Sequence, residues 1–287
     1  MKEVNLLRVF VTGASGQLGY DVGRELERRG MEYLVTTSKE LDIVERQEVE
    51  MQLQNFRPDA VIHCAAYTKV DQAENEQDQC WMVNLDGSRN IAVACAKMGA
   101  KLLYVSTDYV FPGTGTQFYE TTDCVKPQNV YGSSKLAGEL VIQSLLEKFF
   151  IVRTSWVFGK NGSNFVNTML QLSKSRDEVS VVSDQIGSPT YTVDLAGLLC
   201  DMVMTDRYGI YHATNEGICS WADFAQSIFQ LSGKAVAVKR VTTADYPARA
   251  KRPHNSRLSK ESLVQNGFQK LPCWEDALKR FLKGELS

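Results

Sequence analysis

A tyrosine and a lysine one helical turn apart are the residues of this sequence best suited to acid catalysis. Tyr131 and Lys135 lie in the segment NVYGSSKLAGE (129–139), and they share one face if that segment is a helix. Thr107 ends an apolar run earlier in the chain. A phenol can give a proton to a ketone oxygen, an ammonium can stabilise the phenolate, and a hydroxyl can orient the carbonyl. Taken alone, this tyrosine–lysine spacing is more typical of a solvated helix face.

Together the three residues could reduce a ketone that receives hydride from a nicotinamide. Tyr131 would donate the proton, and Thr107 would hydrogen-bond the same oxygen and hold it in line. Free tyrosine has a pKa of about 10. We expect Lys135 and a cationic nicotinamide to lower that pKa by favouring the phenolate. The hydride itself would belong to the cofactor.

A glycine-rich turn near the start of the chain predicts where such a cofactor would bind. VFVTGASGQLGYDVGREL (9–26) reads as a strand, a turn containing Gly13, Gly16 and Gly19, and an amphipathic helix. Small residues let the backbone approach a pyrophosphate, and the helix N-terminus offers unpaired N–H groups. In this strand–turn–helix setting the spacing favours a dinucleotide site over a purely structural turn.

The residues after the second and third strands leave the choice between NADPH and NADH open. The segment TTSK (36–39) stands where NAD enzymes often carry an acid, and its hydroxyls and lysine could hold a 2′-phosphate or a ribose. Asp42 and Ile43 could flank the adenine. Ala65 and Ala66 are small enough for the backbone to pass close to a cofactor, although a tightly packed strand end is the alternative.

The elements that would position these residues alternate between strand and helix patterns. Apolar runs predict strands, and amphipathic stretches predict the helices between them. Such alternation, with strands apolar throughout, predicts an α/β fold with a Rossmann-type, doubly wound parallel sheet covered on both faces. The predicted strands are 6–12, 32–36, 60–65, 101–107 and 149–157, and the predicted helices are 17–29, 45–56, 73–98 and 131–148.

The alternation of strand and helix patterns becomes less regular in the second half of the chain. We predict a dinucleotide-binding domain over 1–157, with later segments returning to its sheet, and a smaller C-terminal α/β lobe, mainly for substrate, over 158–287. Its predicted elements are helices at 162–176, 219–232, 259–265 and 274–283, strands at 179–184 and 208–214, a turn leading into a helix at 187–199, and a polar, irregular stretch at 238–259.

Composition narrows the class of protein. The chain has 287 residues and a formal net charge of −2, which argues against a general nucleic-acid binder. No apolar run is long enough to span a bilayer, so we expect no membrane association. The 7 cysteines are odd in number and lack a C-x-x-C pair, which predicts reduced thiols in a cytoplasm. The three histidines lack metal-ligand spacing, so no structural metal is predicted.

The chain resembles the extended short-chain dehydrogenase/reductases. Within them it is similar to the dTDP-4-dehydrorhamnose reductase branch, over about residues 6 to 280. The most specific motifs are STDYVFPGTG (106–115), RTSWVFG (153–159) and RPHNSRL (252–258). The resemblance implies reduction of the C4 ketone of dTDP-4-dehydro-L-rhamnose to dTDP-L-rhamnose by NADPH or NADH, for a cell-surface polysaccharide.

The resemblance also implies a role for each matching residue. Tyr131 would be the proton donor, Lys135 its partner and a ribose ligand, and Thr107 the hydroxyl that orients the substrate. The implied cofactor-binding residues are Gly16, Gln17, Leu18, Asp42, Ile43, Ala65, Ala66 and Thr68, beside the predicted Gly13 and Gly19. The implied substrate-binding residues are Val70, Asp71, Asp108, Trp156, Asn164 and Arg257.

Two of these assignments have some support from residue chemistry alone. Trp156 could supply an apolar wall for a sugar or base, although a tryptophan at a strand end is as often part of a core. Arginines suit forked contacts with a diphosphate, although a solvated charge run is the alternative. The basic cluster comprises Arg249, Lys251, Arg252 and Arg257.

Two other functions stay open at this point. A sugar-nucleotide epimerase or dehydratase would share the fold, but the dehydratase's glutamate does not follow Asp108. A regulatory subunit of methionine adenosyltransferase shares much of the motif set and works by binding a partner. In some bacterial relatives Mg²⁺ bridges two subunits through glutamates. Matching glutamates are not identified here, which leaves Mg²⁺ and a homodimer open.

Overall fold

The computed structural model describes residues 7–246 and 248–286. The strands in these ranges are β1 (Arg8–Thr12), β2 (Glu32–Thr36), β3 (Ala60–His63), β4 (Lys101–Thr107), β5 (Phe149–Thr154), β6 (Val157–Phe158), β7 (Glu178–Val182), β8 (Ile186–Gly187), β9 (Thr190–Tyr191), β10 (Gly209–His212), β11 (Cys219–Ser220), β12 (Ala237–Val241) and β13 (Asn255–Ser256).

Helices separate most of these strands. They are α1 (Gln17–Arg28), α2 (Arg46–Phe56), α3 (Val70–Ala73), α4 (Gln77–Trp81), α5 (Ser88–Met98), α6 (Val130–Leu145), α7 (Phe165–Leu172), α8 (Thr192–Val203), α9 (Trp221–Leu231), α10 (Glu261–Gln265) and α11 (Trp274–Leu286). A π-helical turn spans Met82–Gly87, and 3₁₀ turns span Asp108–Val110 and Thr243–Asp245.

The main sheet has six parallel strands in the order β10-β5-β4-β3-β1-β2. Its four inner strands are buried on both faces, and successive residues of a strand join different cores. Val9 and Val11 pack with α1 and α8, whereas Phe10 between them packs with α2 and α5. This alternation follows from the pleat of a strand. The predicted α/β fold with a doubly wound parallel sheet is confirmed.

Later segments of the chain join this sheet and also form a separate core. β10 pairs with the edge strand β5, and α8 packs against α1. Phe158, Phe224, Phe229 and Phe281 belong to a second cluster that holds α7, α9 and α11 together. The division of the chain at residue 157 stays a prediction.

The helix predicted over 73–98 is wrong as a single element. The chain turns between α3 and α4, where tertiary hydrogen bonds hold two carboxylates. Glu74 Oε1 accepts from the Val130 N–H at 2.8 Å, and Glu76 Oε2 accepts from the Tyr67 hydroxyl at 2.6 Å. Further on, the π-helical turn presents Asn84, whose side chain bonds both the N–H and the C=O of Tyr67.

Two other predicted segments also differ from the structure. The strand predicted over 149–157 is interrupted because Trp156 adopts a positive φ of 50°, which extended pairing does not allow. The stretch 238–259 is not wholly irregular, since β12 pairs in parallel with β7. β12 was not predicted because it is a largely exposed edge strand, and its sequence AVKRV has no regular alternation of apolar and polar residues.

Candidate active site

A cavity of about 790 Å³ opens at the carboxyl edge of the main sheet. The ends of β1, β2, β3, β4 and β5 and the first turns of α1 and α6 all contribute to its lining. Ligands collect at this edge of open parallel sheets, because loops there diverge from neighbouring strands. The cavity is therefore the candidate active site.

The glycine turn forms one wall of the cavity in a form that suits a pyrophosphate. Gly13 has a φ of 76°, and a Cβ on it would lie 2.6 Å from the Ala65 backbone nitrogen. α1 begins after Gly16 without a side-chain cap and without an acid in its first turn. Its N–H groups and positive dipole end are thus available to an anion. Gly13, Gly16, Gln17, Leu18 and Gly19 all line the cavity.

The wall beside the glycine turn is built by the loops after β2 and β3. Thr36, Thr37 and Ser38 line it, whereas Lys39 is exposed and outside the lining. The Glu40 carboxylate accepts from the backbone N–H and the hydroxyl of Thr37 at 2.8 and 2.9 Å. The other predicted cofactor residues that line this wall are Asp42, Ile43, Ala65, Ala66 and Thr68.

Tyr131 and Lys135 enter the cavity from the first turns of α6. The Asn129 side chain caps this helix by accepting from the Gly132 N–H at 2.8 Å. Lys135 Nζ donates to the Val105 carbonyl at 2.8 Å and lies 3.8 Å from the centre of the Tyr104 ring. These contacts direct the ammonium toward the end of β4. The helix thereby brings both side chains to one place, as their spacing predicted.

Thr107 meets these two residues from the end of β4. Its side chain lines the same cavity as those of Tyr131 and Lys135. The Thr107 hydroxyl donates to Asp108 Oδ1 at 3.1 Å and accepts from the Tyr109 N–H at 3.2 Å. The structure therefore brings the hydroxyl, the phenol and the ammonium together beside the glycine turn.

Burial is the largest influence on the pKa values of Tyr131 and Lys135, and its effect on Tyr131 is opposite to the lowering expected from the sequence. Burial raises the pKa of Tyr131, although the neighbouring Thr107 side chain opposes the rise. The expected lowering by Lys135 is not what the structure gives. Burial lowers the pKa of Lys135 itself to about 7, and Glu139 opposes that shift. The phenol is thus protonated near neutral pH, which is the form that a proton donor needs.

Asp108 is a buried carboxyl group next to the reacting set. Burial raises its pKa to about 6, and the neighbouring Ser256 and Thr107 side chains oppose the rise. Oδ2 has no partner at normal hydrogen-bond distance among the residues that the structure describes. An ionised carboxylate here pays a desolvation cost that a neutral group avoids.

We expect Asp108→Asn to stabilise the protein at neutral pH but not at acid pH. The folded wild type binds the Asp108 proton more tightly than the unfolded chain does, since the pKa rises from 3.8 to about 6. Wild-type stability should therefore fall, relative to the variant, as pH rises through this window. Urea unfolding should give the variant about 1–3 kcal/mol of extra stability at about pH 7.5 and little at about pH 4. An equal difference at both pH values would contradict the buried charge.

Some predicted substrate residues line the cavity, and others do not. Val70, Thr107, Asp108 and Trp156 do. Asp71, Asn164 and Arg257 are outside the lining, because contacts within the protein hold their side chains elsewhere.

Each of these three side chains has a defined partner. The Asp71 carboxylate accepts from the Ala250 N–H at 3.0 Å and pairs with the Arg252 guanidinium. Asn164 caps α7 and donates to Gln17 Oε1 at 3.0 Å. Arg257 donates to Asn255 Oδ1 at 2.8 Å. These residues therefore lie outside the cavity lining, and their roles in substrate binding stay predictions.

The basic cluster predicted to hold a diphosphate is also distributed differently. Arg252 is used by Asp71 and by the Tyr109 hydroxyl, to which its Nη1 donates at 3.2 Å. Arg249 and Lys251 are exposed. None of the four cationic side chains lines the cavity among the described residues.

Two aromatic residues of the cavity escaped sequence reasoning. Tyr109 packs edge-on against Tyr131, with ring centroids 5.5 Å apart. Trp221, at the start of α9, stacks on Trp156 at 3.8 Å. Tyr109 could have been found from its position two residues after Thr107. Nothing in the sequence connects Trp221 with Trp156, because their contact joins distant segments.

Other features of the described ranges bear on the predicted class of protein. All 7 cysteines are free. No helix in the described part of the chain is both long and apolar enough to cross a membrane. Nor do the described His, Cys, Asp and Glu side chains form a group of three or more that could hold a metal ion.

Comparisons with known proteins identify the family of this chain. A family model described as "RmlD substrate binding domain" matches residues 7–286. The spore coat polysaccharide biosynthesis protein SpsK of Bacillus subtilis (strain 168) is 42% identical, and the match covers 97% of this chain and 98% of that protein. A dTDP-4-dehydrorhamnose reductase of Aggregatibacter actinomycetemcomitans is 43% identical, with 96% and 98% covered.

A solved structure extends the similarity to three dimensions. The crystal structure of dTDP-4-dehydrorhamnose reductase from Bacillus anthracis str. Ames in complex with NADP has a TM-score of 0.95 and 46% sequence identity. The match covers 97% of this chain and 99% of that one. The predicted resemblance to the dTDP-4-dehydrorhamnose reductases is thereby confirmed, and this chain belongs to the RmlD substrate binding domain family.

Proposed function

We propose that this protein reduces the C4 ketone of dTDP-4-dehydro-L-rhamnose to dTDP-L-rhamnose with NADPH or NADH. The observation that carries the proposal is the meeting of Thr107, Tyr131 and Lys135 in one cavity with an uncapped, glycine-rich helix N-terminus. The similarity to named dTDP-4-dehydrorhamnose reductases over nearly their whole length supports the substrate. The NADP in the similar crystal structure supports the cofactor class.

The residues of the cavity fit a dinucleotide. Gly13 leaves space that a Cβ would fill, and the first turn of α1 offers N–H groups to the pyrophosphate. Ala65 and Ala66 leave room beside the loop after β3. When bound, the nicotinamide would supply the hydride for the C4 carbon.

The protein's own part in the reaction is to orient the ketone and to supply the proton. Thr107 would hydrogen-bond the C4 oxygen, and Tyr131 Oη would give its proton to that oxygen as negative charge develops there. Lys135 would stabilise the phenolate that remains and hold the ribose hydroxyls. Because burial raises its pKa, the phenol would stay protonated until the proton is transferred to the C4 oxygen.

The aromatic part of the cavity lining is suited to the sugar nucleotide. Trp156 and the stacked Trp221 offer flat apolar rings, and Asp108 and Val70 also line the cavity. A sugar ring packs well on an aromatic face, and a carboxyl group can bond its hydroxyls. We assign these residues to the sugar-nucleotide side of the cavity. A homodimer stays a prediction.

The direct test follows nicotinamide absorbance with the sugar nucleotide made in situ. Steady oxidation of NADPH or NADH, with dTDP-L-rhamnose as product, is the expected result. Comparing the two cofactors addresses the loop at 36–39, where hydroxyls line the wall and no acid follows β2 directly. No oxidation by folded protein that still binds cofactor would contradict the proposal. It would favour another sugar substrate, or the methionine adenosyltransferase regulatory role.

A further inference from the structure

A buried ion pair lies behind the candidate active site. Arg153 Nη2 donates to Glu139 Oε2 at 2.7 Å, and Arg153 Nε donates to Glu139 Oε1 at 3.0 Å. The two side chains are 1% (Glu139) and 4% (Arg153) exposed. Neither residue lines the cavity. A fork of this kind fixes both partners in one geometry.

The pair connects the three elements that carry the reacting groups. Glu139 lies on α6, one turn after Lys135. It accepts a hydrogen bond from the Ser106 hydroxyl on β4 at 2.5 Å. Ser106 stands between Thr107 and Val105, the residue whose carbonyl receives Lys135 Nζ. Arg153 lies on β5, just before the segment that reaches Trp156. One carboxylate thus ties α6 to β4 and β5 directly beneath the site.

Glu139 also has an electrostatic role. It is the charged group that favours the protonated form of Lys135 against burial. The other titratable groups acting on Lys135, or acted on by it, are uncharged near pH 7. Burial lowers the pKa of His63 to about 3, raises that of Cys64 to about 12, and raises those of Cys80 and Tyr104. Among the described residues, Glu139 is therefore the carboxylate that acts on Lys135, whereas the Asp108 carboxyl acts on Tyr131.

We infer that the Glu139–Arg153 pair is a positioning unit for the reaction, which aligns Lys135 with Thr107 and keeps Lys135 protonated while Tyr131 gives up its proton. Glu139 is a positioning residue rather than a catalytic one, because it touches neither cavity nor substrate. The inference rests on the proposed function, since it assigns a task to the same three residues. It predicts a change in pH dependence that a merely structural pair would not cause.

The test is the pH profile of kcat for Glu139→Gln. An uncharged amide no longer favours the ammonium, so Lys135 loses its proton at lower pH. The fall of kcat at high pH, which is the basic limb of the profile, should begin about one pH unit lower than in wild type. The variant should show a larger fold-change in kcat than in KM. Glu139→Asp keeps the charge and should keep the limb close to its wild-type position. A limb that stays in place in folded Glu139→Gln would overturn the inference.

A matched control separates this effect from lost stability. Asp194, on α8, is another carboxylate paired with an arginine, and it does not line the cavity. The Arg280 guanidinium donates hydrogen bonds to its two oxygens at 2.8 and 2.7 Å. Asp194→Asn should lower stability without moving the limb. Glu139→Gln leaves Arg153 unpaired, which could prevent folding. In that case the double variant Glu139→Gln, Arg153→Gln removes both charges, and the basic limb of its kcat profile should still move to lower pH. An unmoved limb in the folded double variant would also overturn the inference.

NADPH binding, followed by its fluorescence, distinguishes failure of the inference from failure of the proposed function. Wild-type protein without turnover of the sugar nucleotide would refute the proposed function alone. The pair would then be tested by the pH dependence of the Kd for NADPH, because Lys135 is assigned to the ribose. Weakening of NADPH binding should begin at lower pH in Glu139→Gln than in wild type. Identical pH dependence would reject the positioning role.

Discussion

Turnover is expected to fall by about 10²–10⁴-fold when Tyr131 is replaced by phenylalanine, because the proton donor is lost. NADPH binding should change little, since the ring, Lys135 and the glycine turn remain. The fold should also persist, because the substitution removes one hydroxyl group and keeps the ring that packs against Tyr109. Initial rates of NADPH oxidation and fluorescence titration with NADPH measure the two effects separately.

Tyr109→Phe is the matched control for this variant. Tyr109 lines the same cavity and packs edge-on against Tyr131, and its hydroxyl accepts from Arg252 rather than contacting Thr107. The same loss of one hydroxyl should therefore reduce turnover far less. Near-normal turnover in Tyr131→Phe, together with a large loss in Tyr109→Phe, would transfer the proton-donor role to Tyr109.

NADPH binding is expected to weaken by at least about tenfold in Gly13→Ala, because a methyl group would enter the space beside the Ala65 backbone. The new Cβ would lie 2.6 Å from the Ala65 nitrogen, and backbone atoms cannot give way as a flexible side chain can. The variant should also lose about 2–4 kcal/mol of stability, from the positive φ and the clash together. Urea unfolding and NADPH titration measure the two losses.

Gly30→Ala provides the control for the backbone conformation alone. Gly30 has a φ of 64°, close to that of Gly13, and a Cβ there would meet nothing within 4 Å. It should lose about 1 kcal/mol for the left-handed conformation and keep its NADPH affinity. Equal losses in the two variants would mean that the close approach of the glycine turn to the loop after β3 does not shape the cofactor site.

The parts of the fold predicted correctly from sequence depend on local rules. Apolar strands alternating with amphipathic helices require a covered parallel sheet, and a glycine-rich turn between β1 and α1 requires little more than backbone geometry. The breaks were missed where distant residues intervene. Glu74 binds the Val130 N–H across 56 positions, and that contact helps to end a helix that periodicity would continue.

The candidate site likewise has features that local sequence predicts and features that depend on contacts between distant residues. The four-residue spacing of Tyr131 and Lys135 was enough to place both on one face, and the end of β4 was enough to bring Thr107 beside them. Asp71 and Arg252 show the limit. Asp71 was assigned to the substrate by the family resemblance and Arg252 to a diphosphate by its residue type, yet they pair with each other across 181 positions. Residue type alone cannot tell a free charge from one that the fold already neutralises.

By itself, therefore, the sequence determined the family resemblance, the parallel sheet, the glycine turn and the meeting of Thr107, Tyr131 and Lys135. These depend on motifs, periodicity and strand ends, all of which are readable over short stretches. Only the tertiary structure decided the direction of the pKa shift of Tyr131, the stacking of Trp221 on Trp156 and the burial of Glu139 with Arg153. Desolvation and contacts between distant segments arise when whole elements pack, and no local pattern contains that arrangement.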